Sequence, residues 1–333
     1  MSWYSKTAPR GDIVVSTRIR LARNIKGMPF PSKMTAEQFC RVNELVRDVI
    51  FKSNSPIVKQ LKYIKMDNVP EVERFAMVER HIISREFALN YQNRAIIISD
   101  DEEICIMLGE EDHIRIQVVF AGLQPQLAYN IADDIDNILC QNLDIAFDER
   151  LGFLTECPTN LGTGLRASVM LHLPIMEQKD EIGILAKSIR KQGFTIRGMY
   201  GEGSKALGSL YQVSNQVTLG VNEQNAINSL ERMTYQIIGQ EEETRKMLNP
   251  IKLQDRCMRS YGILKNSYIL SSQEMMARLS DVKLGISEKI VHCNETPIKL
   301  MIEGSPYMIT RILGYDSPGD RDIIRAKKIR ETI

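Results

Sequence analysis

The sequence of 333 residues lacks the features that mark several common protein classes. No apolar run approaches the ~20 residues that span a bilayer, and residues 1–11 contain no apolar segment of a signal peptide. Charge is balanced, with 43 Lys and Arg against 42 Asp and Glu, so bulk attraction to nucleic acid is not indicated. The six cysteines are scattered without a CxxC pair, which argues against a zinc ribbon or a disulfide framework. We therefore expect a reduced, cytoplasmic protein with no membrane and no nucleic-acid partner.

Two common nucleotide-binding signatures are also missing. The P-loop pattern GxxxxGK[ST] does not occur, and neither does the protein-kinase set of GxGxxG, HRD and DFG. Residues 201–206, Gly-Glu-Gly-Ser-Lys-Ala, fit the GxGxxA variant of the dinucleotide fingerprint. That fingerprint needs a helix to begin at the loop, whereas residues 211–219 alternate like a strand. A Rossmann nucleotide site is therefore disfavoured.

Arginine recurs in segments that alternate like strands. The segments are residues 13–22 with Arg18 and Arg20, 113–120 with Arg115, 166–173 with Arg166, and 194–199 with Arg197. In the first segment, Val15, Ile19 and Leu21 have the parity opposite to the arginines. Antiparallel sheets commonly pack one face on helices and leave the other polar. Four separate solvated faces would explain the pattern, but its recurrence in four segments favours one shared anion site.

Helical periodicity surrounds these strands and dominates the last third of the chain. Apolar residues have helical spacing over residues 35–51, 125–142, 180–192, 223–248, 255–263, 272–283 and 321–330. Residues 303–319 are rich in Gly, Pro and Tyr and are expected to form a loop. The sequence thus predicts an α+β fold, with an antiparallel sheet flanked by helices and a C-terminal all-helical domain. We place the domains at residues 1–245 and 246–333.

Residues 157–168 join a cysteine, a glycine-rich loop and an arginine in the run Cys-Pro-Thr-Asn-Leu-Gly-Thr-Gly-Leu-Arg-Ala-Ser. This run resembles the signature of the guanidino (phosphagen) kinases, which move the γ-phosphoryl group of ATP onto a guanidinium nitrogen. Their fold is an antiparallel sheet with an arginine clamp, and arginine suits phosphate because its planar fork binds oxygens in pairs. The resemblance implies ATP with Mg²⁺, the metal being held mainly by the nucleotide. It implies that ATP is bound by Ser16, Thr17, Arg18, Ile19, Arg20, His81, Arg115, Arg166, Ala167, Ser168, Val169, Met170, Arg197, Gly198, Met199, Tyr200, Gly201 and Glu202.

A guanidinium acceptor is cationic, because its pKa exceeds ~12, so it needs anions to hold it and a base to take its proton. Residues 109–113, Gly-Glu-Glu-Asp-His, resemble the Asn-Glu-Glu-Asp-His segment of the family, and Glu202 follows Arg197 as the carboxylate of the family motif RGxxGE does. The resemblance therefore assigns Glu111 and Glu202 to orient the guanidinium and share the base role. It assigns Cys157 to add negative charge beside the substrate.

Each of these features has an ordinary alternative when it is taken alone. An acidic run is commonly a solvated turn, and a lone cysteine is commonly a small buried apolar residue. The chain also departs from the family pattern, since Gly109 replaces the usual Asn and Lys205 lies where an acidic residue is common. These departures concern substrate preference more than activity.

Within the family, the closest resemblance is to the bacterial protein-arginine kinases. The catalytic motifs begin near residue 13, without the N-terminal helical domain of creatine- and arginine-type kinases, and residues 200–204 and 213–216 match this branch. Residues 321–326, Arg-Asp-Ile-Ile-Arg-Ala, match its RDxxRA motif, which binds phosphoarginine allosterically. On a helix the two arginines are i and i+4 and share a face. The implied allosteric site consists of Arg321, Asp322, Arg325 and Ala326; a solvated basic helix is the alternative.

The resemblance implies a kinase that uses ATP to phosphorylate arginine side chains in proteins during stress response and protein quality control. Two alternatives stay open: a kinase for a free small guanidino compound, and a phosphoarginine-binding protein without turnover. The implied partners are protein substrates with an accessible arginine and a second copy of the chain in a homodimer. A zinc-finger activator protein, a stress-gene repressor and a Clp-type protease are implied as well.

Overall fold

The structure, a computed structural model, describes residues 1–198, 206–314 and 317–333. Its strands are β1 (Val14–Arg23), β2 (Leu61–Lys65), β3 (Ala95–Ser99), β4 (Ile104–Leu108), β5 (Ile114–Ala121), β6 (Phe147–Asp148), β7 (Gly152–Phe153), β8 (Leu165–His172), β9 (Phe194–Gly198) and β10 (Leu210–Asn215). Strands β6 and β7 pair with each other. The other eight form one antiparallel sheet in the order β2-β3-β4-β5-β1-β8-β10-β9.

Helices pack against both faces of this sheet and form the C-terminal region. They are α1 (Ala36–Lys52), α2 (Glu71–Glu79), α3 (Arg85–Leu89), α4 (Pro125–Asn142), α5 (Pro174–Gln178), α6 (Ile182–Arg190), α7 (Glu223–Lys246), α8 (Pro250–Asn266), α9 (Ser272–Ser287), α10 (Pro297–Glu303), α11 (Pro306–Leu313) and α12 (Pro318–Thr332). The helix predicted over 35–51 begins where Thr35 forms a capping box with Gln38. Among the helices of the described ranges, none combines the length and apolarity that a bilayer span requires.

The largest apolar core lies between one face of the sheet and helices α1, α4 and α7. Ile19 and Leu21 of β1 are buried there with Val46, Ile135 and Ile237 of the three helices. Side chains alternate between the faces of a strand, so the arginines of β1 are left on the face away from this core. The fold class expected from the sequence, an antiparallel sheet flanked by helices with a helical C-terminal region, is confirmed.

The C-terminal helices share a second core with the sheet. Leu264, Leu279 and Ile329 of α8, α9 and α12 pack in one cluster with Met170 of β8. The buried Lys283 of α9 also donates hydrogen bonds to two main-chain carbonyls of the N-terminal segment, at 2.6 and 3.0 Å. The limits of 1–245 and 246–333 stay a prediction, since the helices after residue 246 do not form an isolated core.

Two details of the secondary structure differ from expectation. The loop expected over 303–319 is wrong, because α10 extends to Glu303 and α11 occupies Pro306–Leu313. Pro306 and Pro318 are the first residues of α11 and α12, where a missing N–H costs no helical hydrogen bond. The parity expected for Val15 is also wrong, because the β1–β8 register shifts between Val14 and Ser16. This bulge places Val14 in the helix-packed core and Val15 against the second core.

Arg23, at the end of β1, ties the sheet to a helix and to the glycine-rich loop. Its guanidinium lies 2.6 Å from the Asp136 carboxylate of α4 and donates to the carbonyl of Thr163 at 3.0 Å. It also lies over the Phe153 ring, 3.4 Å from the centroid. A Cβ at Gly164 would collide with this guanidinium. Arg23 therefore has a structural role, unlike Arg20 and Arg18, three and five residues before it, which point to the other face.

We expect Arg23→Ala to lower the free energy of unfolding by about 3–5 kcal/mol, because it leaves the carboxylate of Asp136 buried without its partner. Urea denaturation measures this loss. The control is Arg259→Ala, which breaks an ion pair with Asp255 whose side chains are 66% and 62% exposed, against 2% and 9% for Arg23 and Asp136. The control should lose under about 1 kcal/mol. Equal losses in the two variants would contradict the assignment.

Candidate active site

The sheet register brings the predicted arginines to one face. Arg20 of β1 lies directly opposite Arg166 of β8, and Arg115 of β5 lies opposite the next residue of β1 on that face. Arg197 of β9 belongs to the same face through the β10 and β8 pairings. Directly opposed residues of neighbouring strands share a face. We call this surface the arginine face; its arginines are Arg18, Arg20, Arg115, Arg166 and Arg197.

The arginine face is strongly positive. Burial, followed by the charges of Arg115 and Arg166, lowers the pKa of Arg18 to about 10. Burial and the neighbouring arginines lower the pKa of Arg20, and burial with the charges of Arg197 and Arg115 lowers that of Arg166. The buried Nε atoms of Arg20 and Arg166 have no hydrogen-bond partner among the described residues. Donors that repel one another and lack acceptors fit a bound polyanion such as a triphosphate.

His81 lies beside this charge in an unusual backbone conformation, with φ of 61°. Its side chain lines a cavity of about 70 Å³ together with Ser16, Arg18 and Ser168. The Nε2 of Gln117 donates to its carbonyl at 2.9 Å and fixes the turn. Burial, followed by the charge of Arg18, lowers the pKa of His81 to about 4. The ring is therefore neutral at physiological pH.

The other residues expected at the ATP site differ in their positions relative to the arginine face. Thr17, Ile19, Ala167 and Val169 are buried with their side chains on the face that packs against the helices, so only their backbone can lie near the arginine face. Met170 has the parity of the arginines. Gly198 is the last residue of β9. Met199, Tyr200, Gly201, Glu202 and Lys205 fall outside the described residues.

Two adjacent glutamates next to the arginine face have different environments. Glu110 is buried: Ser84 Oγ donates to its carboxylate at 2.6 Å, the Glu111 amide donates at 2.6 Å, and Arg115 Nη1 lies 2.6 Å away. Burial acts to raise the pKa of Glu110, but the charge of Arg115 and these hydrogen bonds bring it below its ordinary value. The carboxylate of Glu111 is 41% exposed, 3.0 Å from Arg115 Nη2 and 3.4 Å from Asn160 Nδ2. Glu111 is thus the carboxylate that a ligand can reach.

The two residues after Glu111 hold this turn against the end of β1. Asn24 donates to the Asp112 carboxylate at 2.6 Å and accepts from the amide of His113 at 2.8 Å. The Nδ1 atom of His113 accepts from Ile25 N, and its Nε2 donates to the carbonyl of Pro29. Burial lowers the pKa of His113, in agreement with this neutral Nε2–H form. Within residues 110–113, the carboxylate of Glu111 is therefore accessible, and its buried neighbours hold it in place.

Cys157 begins the glycine-rich loop and is partly exposed. Its Sγ lies 3.0 Å from Thr159 Oγ1. The Oγ1 of Thr218 donates to the carbonyls of Thr159 and Leu161, at 3.1 and 2.7 Å. A Cβ at Gly162 would collide with the carbonyl oxygen of Thr218, so the close approach of the two segments requires glycine there. The loop is held in a fixed shape and reaches Glu111 through Asn160.

Family comparisons agree with this geometry. Residues 41–244 match the model of the ATP:guanido phosphotransferase C-terminal catalytic domain, and residues 250–333 match that of the protein-arginine kinase McsB C-terminal domain. A protein-arginine kinase of Halothermothrix orenii is 43% identical over 98% of this chain and 95% of its own length. That of Geobacillus sp. is 42% identical over 100% and 93%. This chain belongs to the protein-arginine kinases of the ATP:guanido phosphotransferase family.

Solved structures of the wider phosphotransferase family share the fold. The duplicated taurocyamine kinase from Schistosoma mansoni, with bound transition state analog components, matches with a TM-score of 0.63 at 26% identity, over 75% of this chain and 37% of that one. This chain thus spans little more than a third of that duplicated protein. Lombricine kinase matches with a TM-score of 0.62 at 20% identity, over 74% of this chain and 71% of that one, and supports the fold alone.

The C-terminal motif of this protein-arginine kinase lies on α12. Its residues are Arg321, Asp322, Arg325 and Ala326. Arg325 is buried: its Nε donates to the carbonyl of Gly304 at 2.6 Å, its Nη1 donates to that of Leu270 at 2.8 Å, and Nη1 also pairs with Asp322. Ala326 is fully buried, and Arg321 is partly exposed. In this conformation Arg325 links three segments, and a phosphoarginine site here stays a prediction.

Sequence reasoning missed three residues that shape the site. Ser84 and Gln117 hold Glu110 and His81, and Asn160 contacts Glu111. Asn160 lay inside the recognised glycine-rich motif and could have been found there. Ser84 and Gln117 had no local signal, because their roles depend on contacts between residues 26 and 36 positions apart in the chain.

We expect His81 to titrate near pH 4 in the free protein and at higher pH with ATP bound, because the triphosphate would offset the charge of Arg18 that lowers its pKa. NMR of ¹⁵N-histidine protein measures both titrations, and His81→Gln assigns the signal. The exposed His292 is an internal control, whose signal should not respond to ATP. A His81 that titrates at its ordinary value near 6.5 in both states would contradict the placement beside Arg18.

Proposed function

We propose that this chain transfers the γ-phosphoryl group of ATP to the guanidinium group of arginine side chains in proteins. The observation that carries the proposal is the arginine face, which gathers five arginines from four strands beside a reachable carboxylate. Burial, followed by the charges of neighbouring arginines, lowers the pKa values of Arg18, Arg20 and Arg166. Gathering like charges costs free energy, which a polyphosphate would offset by pairing with them. The protein-arginine kinases at 43% and 42% identity support the protein substrate.

The arrangement supports an in-line transfer. Arg18, Arg20 and Arg166 would hold the phosphates and stabilise the charge on the transferring oxygens. A nitrogen of the substrate guanidinium forms a bond to the γ-phosphorus while the bond from that phosphorus to the β–γ bridging oxygen breaks and ADP leaves. The nitrogen loses a proton to a carboxylate. Glu111 is the candidate base that the structure describes, with Glu202 as the predicted second carboxylate and Cys157 as an added negative charge.

Magnesium would be held mainly by the nucleotide. Within the described ranges, no group of three His, Cys, Asp or Glu side chains is suited to a metal ion. Mg²⁺ commonly keeps several waters and binds through one or two carboxylates and the substrate phosphates. When bound, it would neutralise charge on the phosphate oxygens. For binding this metal, the protein would therefore contribute mainly by orienting the phosphates with its arginines.

The remaining implications of the family resemblance are part of this proposal. We infer a homodimer acting in the cytoplasm in stress response and protein degradation, with a zinc-finger activator, a stress-gene repressor and a Clp-type protease as partners. The C-terminal region from residue 246 would carry the regulatory phosphoarginine site. The support for it is the match of residues 250–333 to the C-terminal domain of protein-arginine kinases.

The proposed activity is tested by incubating the protein with ATP, Mg²⁺ and an unfolded protein. We expect acid-labile phosphoarginine in that protein, detected by mass spectrometry, and little phosphorylation of free arginine. Phosphorylation of free arginine alone would instead indicate a kinase for small guanidino compounds. Binding of phosphoarginine without any ATP turnover would indicate a non-enzymatic reader.

We expect Glu111→Gln to reduce kcat by about 10²–10⁴-fold, the usual effect of losing a general base, while the affinity for ATP changes little. Steady-state kinetics and nucleotide titration separate the two effects. Glu274→Gln is the matched control, since Glu274 has similar exposure and an i,i+4 contact with an arginine, and it should retain full activity. A normal kcat in Glu111→Gln would remove Glu111 from the chemistry.

A further inference from the structure

Strand β9 is the last strand of the sheet, and its outer edge has no partner strand among the described residues. The amide of Gln216 donates to the carbonyl of Gly193 at 2.8 Å, one pair beyond the β9–β10 ladder. Hydrogen-bonded and non-hydrogen-bonded pairs alternate along antiparallel strands. Thr195 and Arg197 therefore bond to β10. The residues whose N–H and C=O groups point outward are Phe194, Ile196 and Gly198.

The outward backbone groups are accessible toward the C-terminal end of β9. Phe194 is buried, whereas Ile196 and Gly198 are partly exposed. The described residues supply no hydrogen bond to the outward backbone groups of Ile196 or Gly198. Unpaired edge groups are a template for another extended chain, and short or covered edges normally prevent this. This edge is short, but among the described residues a groove rather than a covering element lies beside it.

The groove has a volume of about 390 Å³ and runs between β9 and helix α6. Its helix wall consists of Ile182, Gly183, Ala186, Lys187 and Arg190, which recur at helical spacing on one side of α6. Gly183 and Ala186 leave space on this side of the groove, and a Cβ added at Gly183 would meet no atom within 4 Å. The groove therefore has room for an extended polypeptide along the strand edge.

All charged side chains that line the groove are basic: Lys187, Arg190 and Arg197. Lys187 and Arg190 are exposed, and neither forms an ion pair within the described part of the chain. Arg197 has its side chain on the arginine face, so the groove is continuous with that site through β9. The five residues of β9 span ~13 Å at about 3.3 Å per residue. A segment bound there would end beside the phosphate-binding arginines.

We propose that the groove between α6 and β9 binds an extended, acidic segment of the substrate protein, which adds to the sheet as a ninth strand. The proposal rests on the proposed function and names how the protein substrate is held. Backbone hydrogen bonds to Ile196 and Gly198 give affinity for an unfolded chain irrespective of its side chains. Lys187 and Arg190 select acidic side chains, while the target arginine lies beyond the bound segment, at the active site.

The test uses two synthetic peptides, each with a single arginine beside a segment of alternating residues. One segment alternates Val with Glu, and the other alternates Val with Lys. For the Glu peptide, we expect Lys187→Glu/Arg190→Glu to raise KM at least about tenfold, equivalent to about 1.4 kcal/mol, with kcat little changed. For the Lys peptide, the same variant should lower KM. The control is Lys246→Glu/Lys252→Glu, an equal charge change at exposed residues of α7 and α8, which should leave both KM values unchanged.

Hydrogen exchange of the wild-type protein provides a second test of peptide binding, which needs neither activity nor a variant. The Glu peptide should slow exchange at the amides of Ile196 and Gly198, but not at exposed amides of α8. Two results would overturn the proposal that the groove binds substrate and leave the proposed function intact. One is phosphorylation of the Glu peptide with the same KM in the groove variant as in wild type. The other is no added protection of the amides of residues 194–198 by the Glu peptide. If wild type phosphorylates neither peptide, the proposed function fails, and protection of 194–198 by the Glu peptide alone then supports the groove as a peptide site.

Discussion

Repulsion among the arginines of one sheet face is the constraint on which the rest of the structure depends. Arginines on separate flexible loops would move apart. Arginines on neighbouring strands are kept close together, because the strands are joined by backbone hydrogen bonds. Ile19 and Leu21 anchor β1 in the helix-packed core from the opposite face, so the apolar burial of the sheet offsets the cost of gathering the charges. Burial, followed by the charges of neighbouring arginines, lowers the pKa values of Arg18, Arg20 and Arg166. A site of this kind is prepared for a polyanion before the ligand arrives.

The carboxylates divide two tasks that one glutamate could not perform. Glu110 is buried and fully engaged with Ser84, the Glu111 amide and Arg115, so it neutralises part of the arginine charge and fixes the turn. Glu111, which is more exposed, remains accessible to a cation from outside. If both were buried against arginine, no described carboxylate of this turn could receive a guanidinium. The local fold therefore separates a structural anion from one suited to the substrate.

The alternation of Arg18 and Arg20 with Ile19 and Leu21 was enough to predict a strand with one apolar and one basic face, because side-chain direction in strands has a period of two. The same rule failed at Val15, where a bulge adds one residue and reverses parity. Composition failed at 303–319, since proline begins helices as well as ending them. No periodicity exists within the Glu110–Glu111 turn, so which carboxylate is buried depended on Ser84, distant in the chain. Likewise, the i,i+4 spacing of Arg321 and Arg325 could not show that Arg325 is buried.

The packing of β8 relates the active site to the C-terminal helices. Arg166 lies near one end of this strand, while Met170 belongs to the second core and His172, at the other end, bonds to Ser280 of α9 at 2.8 Å. Burial, followed by the charge of Lys283, lowers the pKa of His172, so this contact is between neutral groups in a buried interface. β8 thus contacts both the arginine face and α9. If a ligand shifts the arginine face through α9, then by linkage a nucleotide on that face alters the affinity of that ligand by the same factor.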